Sequence, residues 1–469
     1  MRWTIDPTFY PSARVAMESP PEKLAYVVAL NPAAQSNGSL ENPRGDILAV
    51  VDLDPDSKTY GQIVSQLEMP YPGDELHHFG WNACSSSLCP QSPHPHLERR
   101  YLVVPGLRSS RIYVIDTKPN PLFPEITKII EPEVLKKRTG YSRPHTVHCG
   151  PEGIYVSALG NDKGEGPGGI FILDHFSFDP LGMWEIDRGP QYYAYDFWWH
   201  INQDILISSE WGTPPMVEQG VVGSLLMEGK YGHRLHLWDM RKRKHLQLLD
   251  LGEDNQMALE LRPAHDPRKS YGFAGVVISR KDLSASVWLW FRDNSGWQIK
   301  KVIEIPALSV EQEKLPTLLK PFGKVPPLIT DIDLSLDDKY LYVSCWGTGE
   351  LRKYEVADPY NPELVGCLKI GGIGFQYSHP KNPQKALNGG PQMVEVSRDG
   401  KRIYLTNSLY WAWDEQFYPS GIEGWMVKIQ STPKSFEFEK DFFIEFAGFR
   451  PHQVRLQGGD SSTDSFCFP

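Results

Sequence analysis

The chain is short of every feature that would place it in a membrane or on a nucleic acid. None of its apolar runs approaches the roughly 20 residues that a membrane-spanning helix needs. Its opening, Met1-Arg-Trp-Thr-Ile-Asp-Pro-Thr-Phe-Tyr-Pro11, lacks the apolar core of a secretory signal. Positive charge is outnumbered: 48 Lys and Arg against 58 Asp and Glu give a net charge of −10. That balance argues against a phosphate backbone as partner. The one basic run, Arg241-Lys-Arg-Lys-His245, reads as a turn between strands. Cysteine is scarce as well. The six residues, at 84, 89, 149, 345, 367 and 467, form no regular framework and no Cys-x-x-Cys pair. Free thiols in a reducing, cytoplasmic compartment are the expectation. Helical periodicity is weak almost everywhere. The exception is Ser309-Val-Glu-Gln-Glu-Lys-Leu315, where Ser309 and Gln312 have capping-box spacing and Pro316 would end a short helix.

Turn formers and strand formers are what the chain has in quantity. Gly and Pro number 40 each, and aromatic content is 12 % with 14 Trp, which implies many short strands joined by turns. Several segments repeat one pattern, an apolar strand ending in Ser or Thr. They are Ile154-Tyr-Val-Ser157, Ile205-Leu-Ile-Ser-Ser209, Leu341-Tyr-Val-Ser344 and Ile403-Tyr-Leu-Thr406. Two of them follow matching turns, Ser335-Leu-Asp-Asp-Lys-Tyr340 and Ser397-Arg-Asp-Gly-Lys-Arg402, whose Asp-Asp and Asp-Gly pairs suit tight reversals. A second pattern, a strand ending near Asp, recurs at Ile112–Asp116, Ile170–Asp174, Leu235–Asp239 and Leu351–Asp358. The units return every 55–70 residues or so, room for four strands and their turns. About seven fit, near 45–70, 77–131, 144–187, 195–251, 260–305, 329–371 and 390–447. Repeated four-stranded sheets without intervening helices predict an all-β fold, a single seven-bladed β-propeller domain over residues 1–469. The N-terminal segment and the C-terminal tail are expected to help close the ring.

The 14 histidines divide by position. His94, His96, His175, His245 and His379 fall in loops and turns, and His233 and His236 on or beside an outer strand; these read as structural or solvated. Others sit where blades begin: His77 and His78 before the second unit, His145 and His148 opening the third, His265 at the start of the fifth, His452 after the last. His200 opens the fourth less convincingly. The first strand of a propeller blade runs along the central channel, so residues at its start converge at one mouth. Imidazoles meeting there suit Cu, Zn, Fe or Ni; a hydrogen-bonded polar lining is the alternative. Neighbours in a strand face opposite ways. One of each close pair, His77 in the first, is therefore expected to orient a ligand rather than bind. Cys84 and Cys149, close to these histidines in sequence, read as small buried residues or as a thiolate ligand. Trp81, Trp198, Trp211 and Trp346 read as blade packing.

At these residues the chain resembles the selenium-binding protein family, whose members include methanethiol oxidases. The blocks are Asp74–Ser86, Ser109–Asp116, His145–Cys149, Tyr195–Trp198, Thr330–Asp338, Gly389–Met393, Ser408–Tyr418 and Gly458–Ser462. The resemblance implies a seven-bladed propeller and a copper-dependent oxidase. Its reaction would turn methanethiol, O2 and water into formaldehyde, hydrogen sulfide and hydrogen peroxide, with histidines as copper ligands. The chain departs from some animal members at Gly61, where they carry a selenium-linked cysteine, and in lacking their N-terminal cysteine cluster. Selenium attachment through a cysteine at position 61 is excluded.

Oxidation of a small thiol requires a thiolate, a broken C–H bond and a path for electrons to O2. The ligand candidates are His78, His145, His148, His265 and His452 around copper, with His77 in the metal site as the residue that orients a ligand, and with an open position. Glu75 or Asp331 would take the proton. The expected partners are a small-molecule thiol and O2. A non-enzymatic propeller scaffold, or a selenium or metal carrier, is the competing class.

Overall fold

The computed structural model describes residues 4–35, 44–90, 92, 94–375 and 377–469. Seven four-stranded antiparallel sheets surround a central channel as the blades of a β-propeller. Their innermost strands are Arg450–Leu456, Gly80–Trp81, Tyr141–Cys149, Phe197–His200, Asn255–Pro263, Ile329–Leu334 and Val394–Val396, for blades one to seven. The helices are short, the longest being Pro132–Thr139. The helix expected after Ser309 is instead a single 3-10 turn, Gln312–Lys314, and Ser309 belongs to a two-stranded ribbon, Leu308–Ser309 with Lys324–Val325. Pro316 leaves too few residues for an α-helical nucleus.

The first blade differs most from the expected units. It begins at Leu24–Leu30, seven consecutive buried residues with no alternation for a pattern search to find. Its innermost strand comes from the other end of the chain: Ala25 pairs with Leu456 and Tyr26 with Arg455. The ring is thus closed by strand pairing between the two ends of the sequence.

The core is a set of wedges between blades. Val27, Ala49, Tyr404 and Phe442 join the first blade to the seventh. Tyr26, Val50, Trp81 and Val104 join it to the second. Trp184, Trp199, Leu206 and Trp238 fill the joint between third and fourth. Burial of such side chains, worth about 1.5–3 kcal/mol each, is spread around the ring rather than collected in one centre.

The repeated Ser and Thr residues hold neighbouring blades in register. Ser157 Oγ accepts from Thr146 N of its own blade (3.0 Å) and donates to the Tyr195 carbonyl of the next (2.6 Å). Ser344 Oγ accepts from Asp331 N (3.0 Å) and donates to the Gln392 carbonyl (2.7 Å). Thr406 Oγ1 donates to the His452 carbonyl. The accepting carbonyls of Tyr195, Gln392 and His452 therefore occupy equivalent places in their blades. The two matching turns are also equivalent in detail. Tyr340 N donates to Ser335 Oγ and Arg402 N to Ser397 Oγ, both at 3.0 Å. Asp338 and Gly400 take the positive φ (57° and 71°) that a tight reversal demands.

Candidate metal centre

Four histidine rings gather at one mouth of the channel. His77 and His78 lie in an irregular segment just before Gly80–Trp81. That segment is pinned on both sides: Leu76 N donates to Asp46 Oδ2 (2.8 Å) and Phe79 N to Gln453 Oε1 (2.6 Å). His145 and His452 lie within innermost strands whose ladders are interrupted at this level. The register shifts between Pro144 and Val147 in the third blade and between Val27 and Ala29, opposite His452, in the first. Similar shifts occur between Ala258 and Leu261 and between Ile329 and Asp331. Such bulges re-aim side chains, which is how residues that a regular strand would point apart reach one site.

The ring centroids are 3.4 Å apart for His77 and His452, 4.2 Å for His78 and His145, and 4.9 Å for His77 and His78. His77, His78 and His452 each offer a nitrogen within 4.8 Å of the other two. His77 therefore joins the ligand-capable set, contrary to the expectation that it only orients a neighbour, because its segment is not strand. All four rings are buried. Both nitrogens of His77, Nε2 of His78 and Nε2 of His452 find no hydrogen-bond partner among the described residues. The tautomer of His452 follows from its other nitrogen, since Nδ1–H donates to the Ser408 carbonyl at 2.7 Å and leaves the Nε2 lone pair free. His145 is satisfied, with Nε2 3.1 Å from the Tyr410 hydroxyl and Nδ1 3.0 Å from Thr146 Oγ1.

Burial, reinforced by the neighbouring imidazoles, holds His77, His78 and His145 well below the usual histidine range. Burial alone pushes His452 down to about 3. The rings are neutral, the form that ligates metal. Orphaned buried nitrogens are costly, and a transition ion satisfies them directly. The donor set fits Cu, Zn, Fe or Ni.

The remaining sequence candidates lie elsewhere. His148 packs against Trp198, with centroids 4.2 Å apart, further along the channel wall near Arg455 and Arg262. His265 is a correction. The fifth inner strand starts at Asn255, so Pro263 ends it rather than begins it. His265 donates its backbone N–H to Asp338 Oδ1 (2.7 Å) and sets Nε2 3.0 Å from the Leu334 carbonyl, at the opposite mouth. Glu75 is committed to the backbone: Oε1 accepts from Trp411 N (2.7 Å) and Oε2 pairs with Arg108. Asp331 pairs with Arg262 (3.1 Å) and accepts from Val394 N (2.7 Å).

Three residues that sequence reasoning passed over complete the mouth. Glu260 Oε1 lies 3.8 Å from His78 Nε2 and is otherwise unpartnered among the described residues; burial and the nearby Asp196 hold its carboxyl well above the usual range. A fifth blade starting at Asn255 would have revealed it. Tyr410 stacks on His77 at 4.0 Å and Tyr195 lies 4.2 Å from His145. The conspicuous aromatic block from Ser408 to Tyr418 was the signal for Tyr410. The cysteines also differ from expectation. Cys84 is bonded to Cys149 and Cys89 to Cys467, which leaves Cys345 and Cys367 as free thiols. The partners are 65 and 378 residues apart in sequence, distances over which spacing carries no pairing signal.

Comparison with known proteins agrees with this architecture. The family model of the 56kDa selenium binding protein matches residues 3–467. The chain is 37 % identical to selenium-binding protein 3 of Arabidopsis thaliana, over 97 % of this chain and 96 % of that one. It is 38 % identical to the methanethiol oxidase of Xenopus tropicalis, over 96 % of each. The crystal structure of a hypothetical selenium-binding protein from Sulfolobus tokodaii superposes with a TM-score of 0.95 at 58 % identity, over 99 % of this chain and 100 % of that one. With its seven blades, its capped histidine mouth and these relatives along its whole length, the chain belongs to the 56kDa selenium-binding protein family.

Proposed function

We propose that the protein is a copper-dependent oxidase of methanethiol or a close small thiol, forming formaldehyde, hydrogen sulfide and hydrogen peroxide from the thiol, O2 and water. The observation that carries this reading is the meeting of unpartnered nitrogens of His77, His78 and His452 in a buried mouth. A relative bearing the name methanethiol oxidase supports the reaction class. Bound to these three rings, copper would lower the thiol's pKa and exchange electrons with O2. The chain's own residues do the rest. Ser408 and Thr406 orient His452 through its Nδ1–H and its carbonyl. Tyr410 holds His145 beside the centre. With a cation bound, the nearby Glu260 carboxyl would return to its anionic form, and Oε1, 3.8 Å from His78 Nε2, would then receive the thiol proton. The aromatic cap of Tyr195, Trp211, Tyr410 and Trp413 keeps bulk water out.

Metal analysis of the purified protein, paired with oxygen-uptake and peroxide assays, tests the reading. Copper-loaded protein should consume O2 when methanethiol is added, and metal-free protein should not. The names of the plant relatives favour a second reading, a selenium carrier; that reading predicts selenium binding and no thiol-dependent oxygen uptake.

A further inference from the structure

The loops that cap the histidine mouth enclose a cavity of about 40 Å3 between the helices Gly223–Met227 and Trp411–Phe417. Val221, Leu226, Met257, Leu318, Trp413 and Phe417 are among the side chains that line it. The one polar side-chain atom in the lining, Trp413 Nε1, already donates to the Val217 carbonyl. A water needs roughly 10–15 Å3 and two to four polar partners, so this space has room for about three heavy atoms but little to hold water. Its rim reaches solvent. Met227 and Phe322, both lining residues, are 47 % and 41 % exposed, unusual for side chains of their size.

The inner wall leads to the histidines. Trp413 packs edge-on against Trp211, with centroids 5.3 Å apart. Trp211 in turn meets Tyr195 at 5.0 Å and Tyr410 at 5.2 Å. Those two tyrosines touch His145 and His77. Cavity and partition belong to one continuous apolar cluster. Trp211 Nε1 is buried within it and has no hydrogen-bond partner among the described residues, which leaves an N–H donor inside an otherwise apolar route.

We propose that this cavity is the entry and holding site for a small uncharged thiol, and that Trp211 and Trp413 form the partition it crosses to reach the histidine centre. The inference deepens the oxidase reading and rests on it. A cysteine thiol ionises at about pH 8.5, and a small alkanethiol, without electron-withdrawing neighbours, higher still, so it is neutral at pH 7. It enters an apolar space without desolvating a charge. Thiols that carry an ammonium and a carboxylate would lose solvation that no lining residue replaces. The cavity therefore selects by charge and size before chemistry begins.

Dimethyl sulfide, which has three heavy atoms and no S–H to lose, is the probe. Crystals soaked in it should show the thioether in the cavity of the wild type. An empty cavity would overturn the proposal. Gly223 supplies the blocking variant. A Cβ at this position meets only Leu318 Cδ1, at 3.7 Å, so Gly223→Leu projects into the cavity without backbone strain. That variant should exclude dimethyl sulfide and raise the methanethiol KM at least about tenfold, with kcat within about twofold. Met227→Trp, at the exposed rim, should act in the same direction and leaves the core untouched. An unchanged KM in folded Gly223→Leu that excludes the thioether would also overturn the proposal. Copper-loaded wild type without oxygen uptake would defeat the oxidase reading, while the soaked crystals still decide the cavity.

Discussion

The two ends of the central channel are built from the same strands and treated in opposite ways. At the far end buried acids are matched by arginines. Arg262 lies 3.1 Å from Asp331, 3.5 Å from Asp333 and 3.6 Å from Asp196. Arg455 lies 2.8 Å from Glu395 and 3.5 Å from Asp460. The C-terminal tail seals this end: Ser461 donates to Asp333, Asp464 pairs with Arg99 at 2.9 Å, and Cys467 is bonded to Cys89. At the near end several imidazole nitrogens are left without hydrogen-bond partners among the described residues. His77, His78 and His452 carry orphaned nitrogens under an aromatic cap. Ion pairs gathered at one end and unpartnered imidazole nitrogens at the other separate an end that holds the ring shut from an end with donor atoms to offer.

That contrast can be broken from either side. The largest effect should come from the near end. His78→Ala or His452→Ala should lower copper content and thiol-dependent oxygen uptake by at least about 10–100-fold, while the far-end network stays intact. Unchanged turnover in both variants, at equal folded concentration, would move the chemistry elsewhere. The far end should respond in stability. Arg262→Met leaves buried carboxylates without their partner and should cost about 3–5 kcal/mol in denaturant unfolding of the metal-free protein. A loss no larger than that of His452→Ala would erase the distinction between the two ends.

A smaller effect concerns the support beneath the histidines. Burial pushes the Asp46 carboxyl, which holds Leu76 N beside His77, from 3.8 up to about 7. A carboxyl raised in the folded state binds more protons folded than unfolded between these values. Its contribution is therefore complete below about pH 4 and is lost as the pH rises to about 7. Unfolding free energies measured from pH 4 to 8 should fall more steeply with pH in the wild type than in Asp46→Asn. Parallel curves would contradict the assignment. The smallest effect sharpens the comparison through equivalent hydroxyls. Thr406→Val and Ser344→Ala should each cost about 1 kcal/mol in stability. Only Thr406→Val, which frees the His452 carbonyl, should also weaken copper binding in titrations of the metal-free protein.

Much of this fold is legible along the chain because its signals are local. The strand endings at Ser157, Ser344 and Thr406 and the turns at Asp338 and Gly400 are written within a few residues each, and each does the same task in its own blade. The site is legible only in part. His77, His78, His145 and His452 stand out because they precede inner strands or lie within them. His265 misled because a long strand, Asn255–Pro263, carries the fifth blade's start eight residues earlier than its proline suggests. The same error concealed Glu260.

By itself, then, the order of residues determined the number of blades, the turns between their strands and the short set of histidines able to reach the channel, since propensity and alternation act over a few residues. Only the tertiary structure decided which of those histidines meet, because ring closure and the bulges at Pro144–Val147 and opposite His452 set their direction and level. It also decided that Leu24–Leu30 pairs with Arg450–Leu456 and that Cys467 reaches Cys89. Contacts between residues hundreds of positions apart follow from how the blades pack around the axis, a geometry that no short stretch of sequence carries.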